Sequence, residues 1–167
     1  MYGEFLQCNP GSVAQGACGS GRKADCKTAG EKVTQKLYCC ETRNQNDPVF
    51  DADPTTGPCD EKAAFEGKKE KCNEGQAVHR MCGSGMNHNC RSDVDLLGLY
   101  NMVIDCCDSA DIEVKNHDMC VWSYGNYGNE VKCPGGYVMA GYCGSGSKAD
   151  CPSETFFGVF CCPYEDK

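Results

Sequence analysis

Short apolar and aromatic runs alternate along this chain with polar, glycine-rich segments. The clearest run covers residues 137–142, and similar runs cover residues 36–38, 102–104 and 157–160. Small, β-branched and aromatic side chains of this kind favour extended strands, so the pattern predicts buried strands. A Gly-Ser-Gly segment between successive runs predicts a turn, because glycine adopts positive φ without steric cost. The pattern therefore predicts β-hairpins, each made of two buried strands that a glycine-rich turn connects.

The hairpins belong to a cysteine repeat that occurs three times. In each copy nine and then seven residues separate three cysteines, the segment Cys-Gly-Ser-Gly recurs at the middle one, and a vicinal Cys-Cys pair follows. The repeated turn is Gly19, Ser20 and Gly21 in the first copy, Gly83, Ser84 and Gly85 in the second, and Gly144, Ser145 and Gly146 in the third. The disulfide framework comprises Cys8, Cys18, Cys26, Cys39 and Cys40, then Cys59, Cys72, Cys82, Cys90, Cys106 and Cys107, then Cys120, Cys133, Cys143, Cys151, Cys161 and Cys162.

The position of Cys59 and Cys120 sets the phase of the repeat. Each lies thirteen positions before the next cysteine, so a complete module has six cysteines. In the first copy the corresponding cysteine, thirteen positions before Cys8, would fall ahead of residue 1. We therefore expect one cysteine of the first module to lack its local partner, as a free buried thiol, a bridge to another chain or a bridge between modules. The pairing itself stays open, because six cysteines allow fifteen connectivities.

The repeat divides the chain into modules at residues 1–40, 59–107 and 120–162, with acidic surface loops at 41–58 and 108–119. The fold class predicted is all-β and disulfide-rich. We expect one closed, pseudo-threefold body, and the alternative is three separate disulfide-stapled beads. Apolar clusters in residues 60–71 and 93–102 also permit short helices.

Composition places the protein outside the cell. Seventeen cysteines in 167 residues is a density typical of disulfide scaffolds in oxidising compartments. A metal store is disfavoured, since the chain has no tight Cys-x-Cys run and no matched CxxC pairs. A net charge of −8 disfavours nucleic acid and anionic membranes as partners, and no apolar run reaches the ~20 residues that span a bilayer.

Few residues suggest catalysis, and we predict neither an enzyme nor a cofactor. His79, His88 and His117 do not recur at equivalent module positions, and the repeated serines are explained as turn residues. Asp51 and Asp53 invite a calcium interpretation. The EF-hand template fails there, because threonine and lysine occupy the positions that need glycine and a bidentate glutamate, so a solvated acidic loop is favoured.

One aromatic segment is a candidate ligand site. Trp122, Tyr124, Asn126 and Tyr127 lie together in a glycine-rich stretch. Aromatic faces flanked by amides can hold sugar rings, although the same residues could form a small core or an interface.

The stretch from Trp122 to Cys162 resembles the vitelline membrane outer layer protein I family. The resemblance rests on Trp122, Gly125, the segment Cys-Pro-Gly-Gly-Tyr-Val at 133–138, Asp150 and the ending Phe-Phe-Gly-Val-Phe-Cys-Cys at 156–162. It implies a β-prism of three sheets about a pseudo-threefold axis, and a structural egg-coat role with a carbohydrate-facing surface.

Three functional hypotheses follow from the sequence. The first is a secreted structural or protective protein, whose odd cysteine links it to further copies of itself or to extracellular matrix. The second is a carbohydrate-binding or defence lectin-like module that uses the Trp122 segment. The third is a secreted effector or inhibitor that binds another protein through acidic residues 47–57.

Overall fold

A computed structural model describes residues 5–9, 12–19, 26–28, 31–33, 35–41, 59–65, 67–83, 90–92, 98–109, 112–126, 128–144 and 151–167. These residues form an all-β structure rich in disulfides, as the sequence predicted, and their only helices are two single 3-10 turns, His117–Met119 and Pro152–Glu154. The strands are β1 (Phe5–Gln7), β2 (Ser12–Gly19), β3 (Cys26–Thr28), β4 (Glu31–Val33), β5 (Gln35–Glu41), β6 (Cys59–Ala64), β7 (Lys68–Lys71), β8 (Gln76–Gly83), β9 (Cys90–Arg91), β10 (Leu99–Tyr100), β11 (Met102–Asp108), β12 (Ile112–Val114), β13 (Val121–Gly125), β14 (Glu130–Lys132), β15 (Tyr137–Gly144) and β16 (Phe157–Asp166).

Each module is built on one long antiparallel hairpin. The hairpins are β2 with β5, β8 with β11, and β15 with β16, and they contain the strands that the apolar runs predicted. The register of each shifts by one residue at the same place, which puts a β-bulge at Gln15, His79 and Ala140, three residues before Cys18, Cys82 and Cys143 respectively. Such bulges increase local twist, so the three hairpins curve alike.

In two of the modules a further strand pairs with the outer edge of the second hairpin strand, and we call it the covering strand. β6 pairs with β11, and β13 pairs with β16, both antiparallel. In the first module β5 pairs with β2 alone among the residues that the structure describes. Among these residues the first sheet therefore shows one strand fewer beside the hairpin than its counterparts.

The modules exchange a strand with one another. β1 of the first module pairs with β8 of the second, β7 of the second pairs with β15 of the third, and β14 of the third pairs with β2 of the first. The exchange closes a cycle, so the alternative of three separate beads is wrong. The pseudo-threefold prism stays a prediction, because pairing alone fixes no symmetry axis.

All three modules contribute to one hydrophobic core. Strand residues alternate between the two faces of a sheet, and the inward-facing side chains are mostly aliphatic. The shared cluster includes Val13, Ala14 and Ala17 from the first module, Val78, Met81 and Ile104 from the second, and Val138, Met139, Phe157 and Val159 from the third. This common core requires the modules to fold against one another.

Three sequence expectations need correction. Residues 60–71 form β6 and β7 rather than a helix, because Gly67 at φ 77° breaks the segment and both strands pair with neighbouring sheets. Within 93–102, Leu99–Tyr100 is a strand, while 93–97 lie outside the described residues. The surface loop at 108–119 contains β12, which buries Ile112 and Val114 beside the end of β16. Of the loop at 41–58, residues 42–58 lie outside the described part.

The exchanged strands approach their host sheets very closely at two equivalent glycines. A Cβ at Gly141 would lie 2.6 Å from the carbonyl oxygen of Glu70 on β7, and a Cβ at Gly16 would collide with the carbonyl oxygen of Val131 on β14. Both positions are two residues before the cysteine that precedes the turn. Glycine is required because backbone occupies the space of a side chain.

We expect Gly141→Ala to destabilise the protein by about 1–3 kcal/mol, the usual cost of an extra carbon in packed structure. Gly135→Ala is the matched control, since a Cβ there meets nothing within 4 Å. Unfolding in guanidinium chloride, monitored by tyrosine and tryptophan fluorescence, measures the difference. Equal stabilities of the two variants would contradict the close approach of β7.

Candidate functional site

The disulfides of the two complete modules follow one nested pattern. The first cysteine bonds to the sixth, the second to the fifth and the third to the fourth. The bonds are Cys59–Cys107, Cys72–Cys106 and Cys82–Cys90 in the second module, and Cys120–Cys162, Cys133–Cys161 and Cys143–Cys151 in the third. The cysteine spacing left the disulfide pairing open, and the structure shows the same pairing in both complete modules.

Strand geometry explains why vicinal cysteines serve different partners. Adjacent residues of a strand point to opposite faces, so the two cysteines of a pair are directed apart. Cys107 lies directly opposite Cys59 on β6, with Cα atoms 4.0 Å apart, whereas Cys106 reaches Cys72 ahead of β8. The outer bond fastens the covering strand and the inner bond fastens the hairpin.

The first module has the same pattern with one bond missing. Cys8 bonds to Cys39 and Cys18 bonds to Cys26, which leaves Cys40 as the only free thiol among the seventeen cysteines. Cys40 corresponds to Cys107 and Cys162. The expectation of one unpartnered cysteine in this module is confirmed, and of the three fates left open for it, the re-paired bridge between modules is not formed.

Cys40 lies partly buried on β5 and packs against the shared core. Burial raises the pKa of its thiol, because a thiolate is poorly solvated there. Burial likewise raises the pKa of Tyr164, and the charge of a Cys40 thiolate would raise it further. At neutral pH this thiol is protonated and reacts slowly by itself.

A second candidate site is the aromatic surface on β13. Trp122 and Tyr124 are two residues apart on one strand, so both project from the same face. Their rings are nearly parallel, at 4°, with centroids 5.8 Å apart. Trp122 also lies 5.0 Å from the ring of Phe160, and His117 meets Phe160 edge-on at 5.4 Å. We call Trp122 and Tyr124, which are both partly exposed, the aromatic surface, and Phe160 is a buried core residue that packs against Trp122.

Glycine and lysine residues complete this surface. Tyr124 lies over Gly158, where a Cβ would come within 2.5 Å of the tyrosine ring. Lys69 places its Nζ 5.6 Å from the centre of the Trp122 ring, and Lys71 places its Nζ 4.7 Å from that of Phe160. The flat rings and flanking ammonium groups can bind a ligand by stacking and by hydrogen bonds donated to its oxygens.

The predicted sugar-binding residues are only partly brought together. Trp122 and Tyr124 form the stacked pair, Asn126 is exposed just beyond β13, and Tyr127 lies outside the described residues. Sequence reasoning missed Phe160, Lys69 and Lys71, which are 38, 53 and 51 positions from Trp122. The lysines reach the aromatic surface because β7 of the second module pairs with β15 in the third sheet, and no local sequence pattern predicts this pairing.

The cation–aromatic contact also has a structural counterpart in the first module. Lys132 on the exchanged strand β14 lies 4.5 Å from the centre of the Tyr38 ring, as Lys71 on β7 lies over Phe160. Both lysines immediately precede the second cysteine of their module. The recurrence indicates that this contact helps to hold exchanged strands, whatever ligand the aromatic surface binds.

The remaining sequence candidates are dispersed. The described residues hold no group of three or more histidine, cysteine, aspartate or glutamate side chains placed to bind a metal. His79 is buried beside Gln7, at 3.4 Å between their Nε2 atoms, while His117 packs on Phe160. His88, Asp51, Asp53, residues 47–57 and the turn residues Ser20, Gly21, Ser84, Gly85, Ser145 and Gly146 lie outside the described part, and Gly19, Gly83 and Gly144 end β2, β8 and β15.

Comparison with known proteins gives no relative for this chain. No family model matches it, and neither a curated protein nor a solved structure does. The resemblance to the vitelline membrane outer layer protein I family therefore stays a prediction.

Proposed function

We propose that this is a secreted structural or protective protein whose disulfides make it resistant to unfolding and proteolysis. The observation that supports the proposal is the nested set of eight disulfides, which leaves one cysteine of seventeen free. Such bonds persist in an oxidising extracellular environment. In the described part of the chain, no helix has the length and apolar character to cross a bilayer.

The bonds differ in how much they restrict the unfolded chain. Cys59–Cys107 joins residues 48 positions apart, and each third-to-fourth bond joins residues 8 positions apart. In the loop-entropy account these contribute about 4 and about 2.5 kcal/mol respectively. The two kinds of bond act on different parts of a module, since the long-range bond joins the covering strand to the hairpin and the short-range bonds each join cysteines eight positions apart.

Protection also extends to the strand edges. Unpaired strand edges invite aggregation and cleavage, and β6 and β13 cover one edge of the second and third hairpins while β7 covers the other edge of the third.

Cys40 supplies the chemistry for joining this protein to a further copy or to extracellular matrix, because a disulfide is a covalent link that needs only one thiol from each side. A structural role therefore accounts for both the paired and the unpaired cysteines.

We expect the oxidised protein to withstand pepsin and trypsin far longer than the fully reduced, alkylated chain. The double variant Cys59→Ser with Cys107→Ser should lose about 4 kcal/mol of unfolding free energy, and Cys82→Ser with Cys90→Ser about 2.5 kcal/mol. Proteolysis rates and denaturant unfolding measure both effects. Equal digestion of the oxidised and reduced chains would refute a protective role for the disulfides.

A second candidate function is carbohydrate binding at the aromatic surface. The observation that favours it is the parallel stack of Trp122 on Tyr124, both of them partly exposed. A pyranose ring presents C–H groups to an aromatic face and hydroxyl oxygens to neighbouring donors such as Lys69. The competing explanation is structural, because the first module has the same kind of lysine–aromatic contact, between Lys132 and Tyr38, and there the contact helps to hold an exchanged strand.

We expect Trp122→Ala to abolish binding on a glycan array, because it removes the larger of the two stacked rings. Phe65→Ala is the matched control, since Phe65 is an exposed aromatic residue that pairs with Tyr100 in another module. Fluorescence titration with the best array ligand gives the affinity. An array on which the unaltered protein binds no glycan would eliminate this function.

A further inference from the structure

The lysines beside the aromatic surface belong to the same face of the third sheet. Two rows of directly opposite residues cross this face, Tyr124, Gly158, Cys143 and Lys69 in one, and Trp122, Phe160, Gly141 and Lys71 in the next. Directly opposite residues of antiparallel strands project from the same face, so the aromatic and lysine side chains share it. The glycines within the rows leave room for a lysine to lie across the sheet, and the Nζ of Lys71 reaches to 4.7 Å from the centre of the Phe160 ring, two strands away.

The first sheet has a face built from the same two rows, and there a carboxylate pairs with a lysine. On the exchanged strand, the residue opposite the third cysteine of the module is Glu130 in the first sheet and Lys69 in the third. On the second hairpin strand, the residue opposite that cysteine is Lys36 in the first sheet and Gly158 in the third. Lys36 and Glu130 form an ion pair at 3.6 Å. The third sheet thus has a lysine in place of the carboxylate and no side chain in place of Lys36.

The second sheet also pairs its cation with a carboxylate. Arg80 takes the position of Gly141, and its Nε lies 2.6 Å from Asp105, which takes the position of Phe160. On the third sheet, in the described part of the chain, no carboxylate lies within ion-pair distance of Lys69 or Lys71. This face therefore presents two positive charges that it does not neutralise itself.

The rings and the lysines of this face are accessible. Trp122 and Tyr124 are partly exposed, and Lys69 and Lys71 are exposed. Parallel ring planes with centroids 5.8 Å apart describe an offset stack, which leaves part of each ring uncovered. Flat apolar rings and positive charge thus lie together on the surface of a protein whose net charge is −8.

We propose that this face binds an acidic glycan, with a pyranose ring stacked on the aromatic surface and the carboxylate or sulfate of that sugar held by Lys69 and Lys71. This inference rests on the carbohydrate-binding candidate function, since it names the chemical class of the sugar. The ring's C–H groups pack on the aromatic faces, and the anionic group accepts charge-assisted hydrogen bonds from the ammonium groups. The Nζ of Lys69 is 5.6 Å from the centre of the Trp122 ring, so it lies within reach of a substituent on a sugar stacked there.

The charges around this face permit such a ligand. Glu70, between the two lysines on β7, projects from the opposite face, because adjacent strand residues alternate. Repulsion from more distant carboxylates is screened over about 8 Å at physiological ionic strength, so a short ligand responds chiefly to the local lysines. The contact of Lys69 with Trp122 is close to the outer limit of about 6 Å for a cation–aromatic interaction, so Lys69 loses little when it turns to an anion.

Matched oligosaccharides test the proposal. Trigalacturonate and its methyl ester have the same rings and differ in charge, a sulfated maltotriose replaces the carboxylate by sulfate, and triglutamate has three carboxylates without a sugar ring. Trp122 is the one tryptophan of the chain, so tryptophan fluorescence reports binding at the site itself. We expect trigalacturonate or the sulfated sugar to bind at least about tenfold more tightly than the methyl ester, because hydrogen bonds to charged groups are the stronger ones. The tighter of the two identifies the acidic group, and triglutamate should bind far more weakly than either.

Substitutions on β7 assign the preference to this face. Lys69→Gln should weaken binding of the acidic sugar about three- to fivefold and leave binding of the methyl ester unchanged, as expected for an exposed ion pair. Lys68→Gln is the matched control, because it removes the same charge from the neighbouring position, which projects from the opposite face. Lys69→Glu gives β7 the glutamate that β14 has at this position and should abolish the preference for the acidic sugar. Melting temperatures confirm that each variant is folded.

Three outcomes would overturn the proposal. Equal affinities for the methyl ester and both acidic sugars would do so while leaving carbohydrate binding intact, whereas no binding of any sugar would remove that function as well. Triglutamate binding as tightly as the acidic sugars would show attraction of charge without recognition of a ring. Equal effects of Lys68→Gln and Lys69→Gln would show that net charge, and not this face, sets the affinity.

Discussion

The opposite orientation of adjacent strand residues is the constraint on which this structure depends. A Cys-Cys pair in a strand sends its two sulfur atoms to opposite faces, so the hairpins of the second and third modules are each fastened twice, once to a covering strand and once to the segment ahead of the hairpin. Cys106 and Cys107 show the arrangement, with bonds to Cys72 and Cys59. The bond from Cys107 to Cys59 holds β6 beside β11.

The exchange of strands then ties the modules into one body. Each module gives the strand before its second cysteine to a neighbour, and Gly16 and Gly141 let the incoming backbone approach where any side chain would collide. Lys132 and Lys71 add cation–aromatic contacts from those strands to Tyr38 and Phe160. Local disulfides and cyclic exchange together stabilise modules that would each bury too little surface alone.

The sequence predicted the parts of the fold that are periodic. Matched cysteine spacings and apolar runs were enough for the hairpin strands and for the unpartnered cysteine among the first five cysteines. They were insufficient for the covering and exchanged strands, since Cys59–Ala64 and Lys68–Lys71 are polar and pair with residues distant in sequence. The candidate site at the aromatic surface was predicted only through Trp122 and Tyr124, because Phe160 and the lysines arrive by tertiary pairing. Six cysteines allow many disulfide pairings, and only the register of the paired strands decides which cysteines lie close enough to bond.

The first module holds the one free thiol of residues 1–167, at the position whose counterparts Cys107 and Cys162 are bonded to the first cysteine of their modules. Disulfide mapping of the unreduced protein tests this most directly, by alkylating free thiols, digesting and sequencing the linked peptides. We predict alkylation at Cys40 alone, a bond from Cys8 to Cys39, and the first-to-sixth bonds Cys59–Cys107 and Cys120–Cys162. Alkylation of another cysteine, or a bond from Cys40 to any cysteine of residues 1–167, would contradict it.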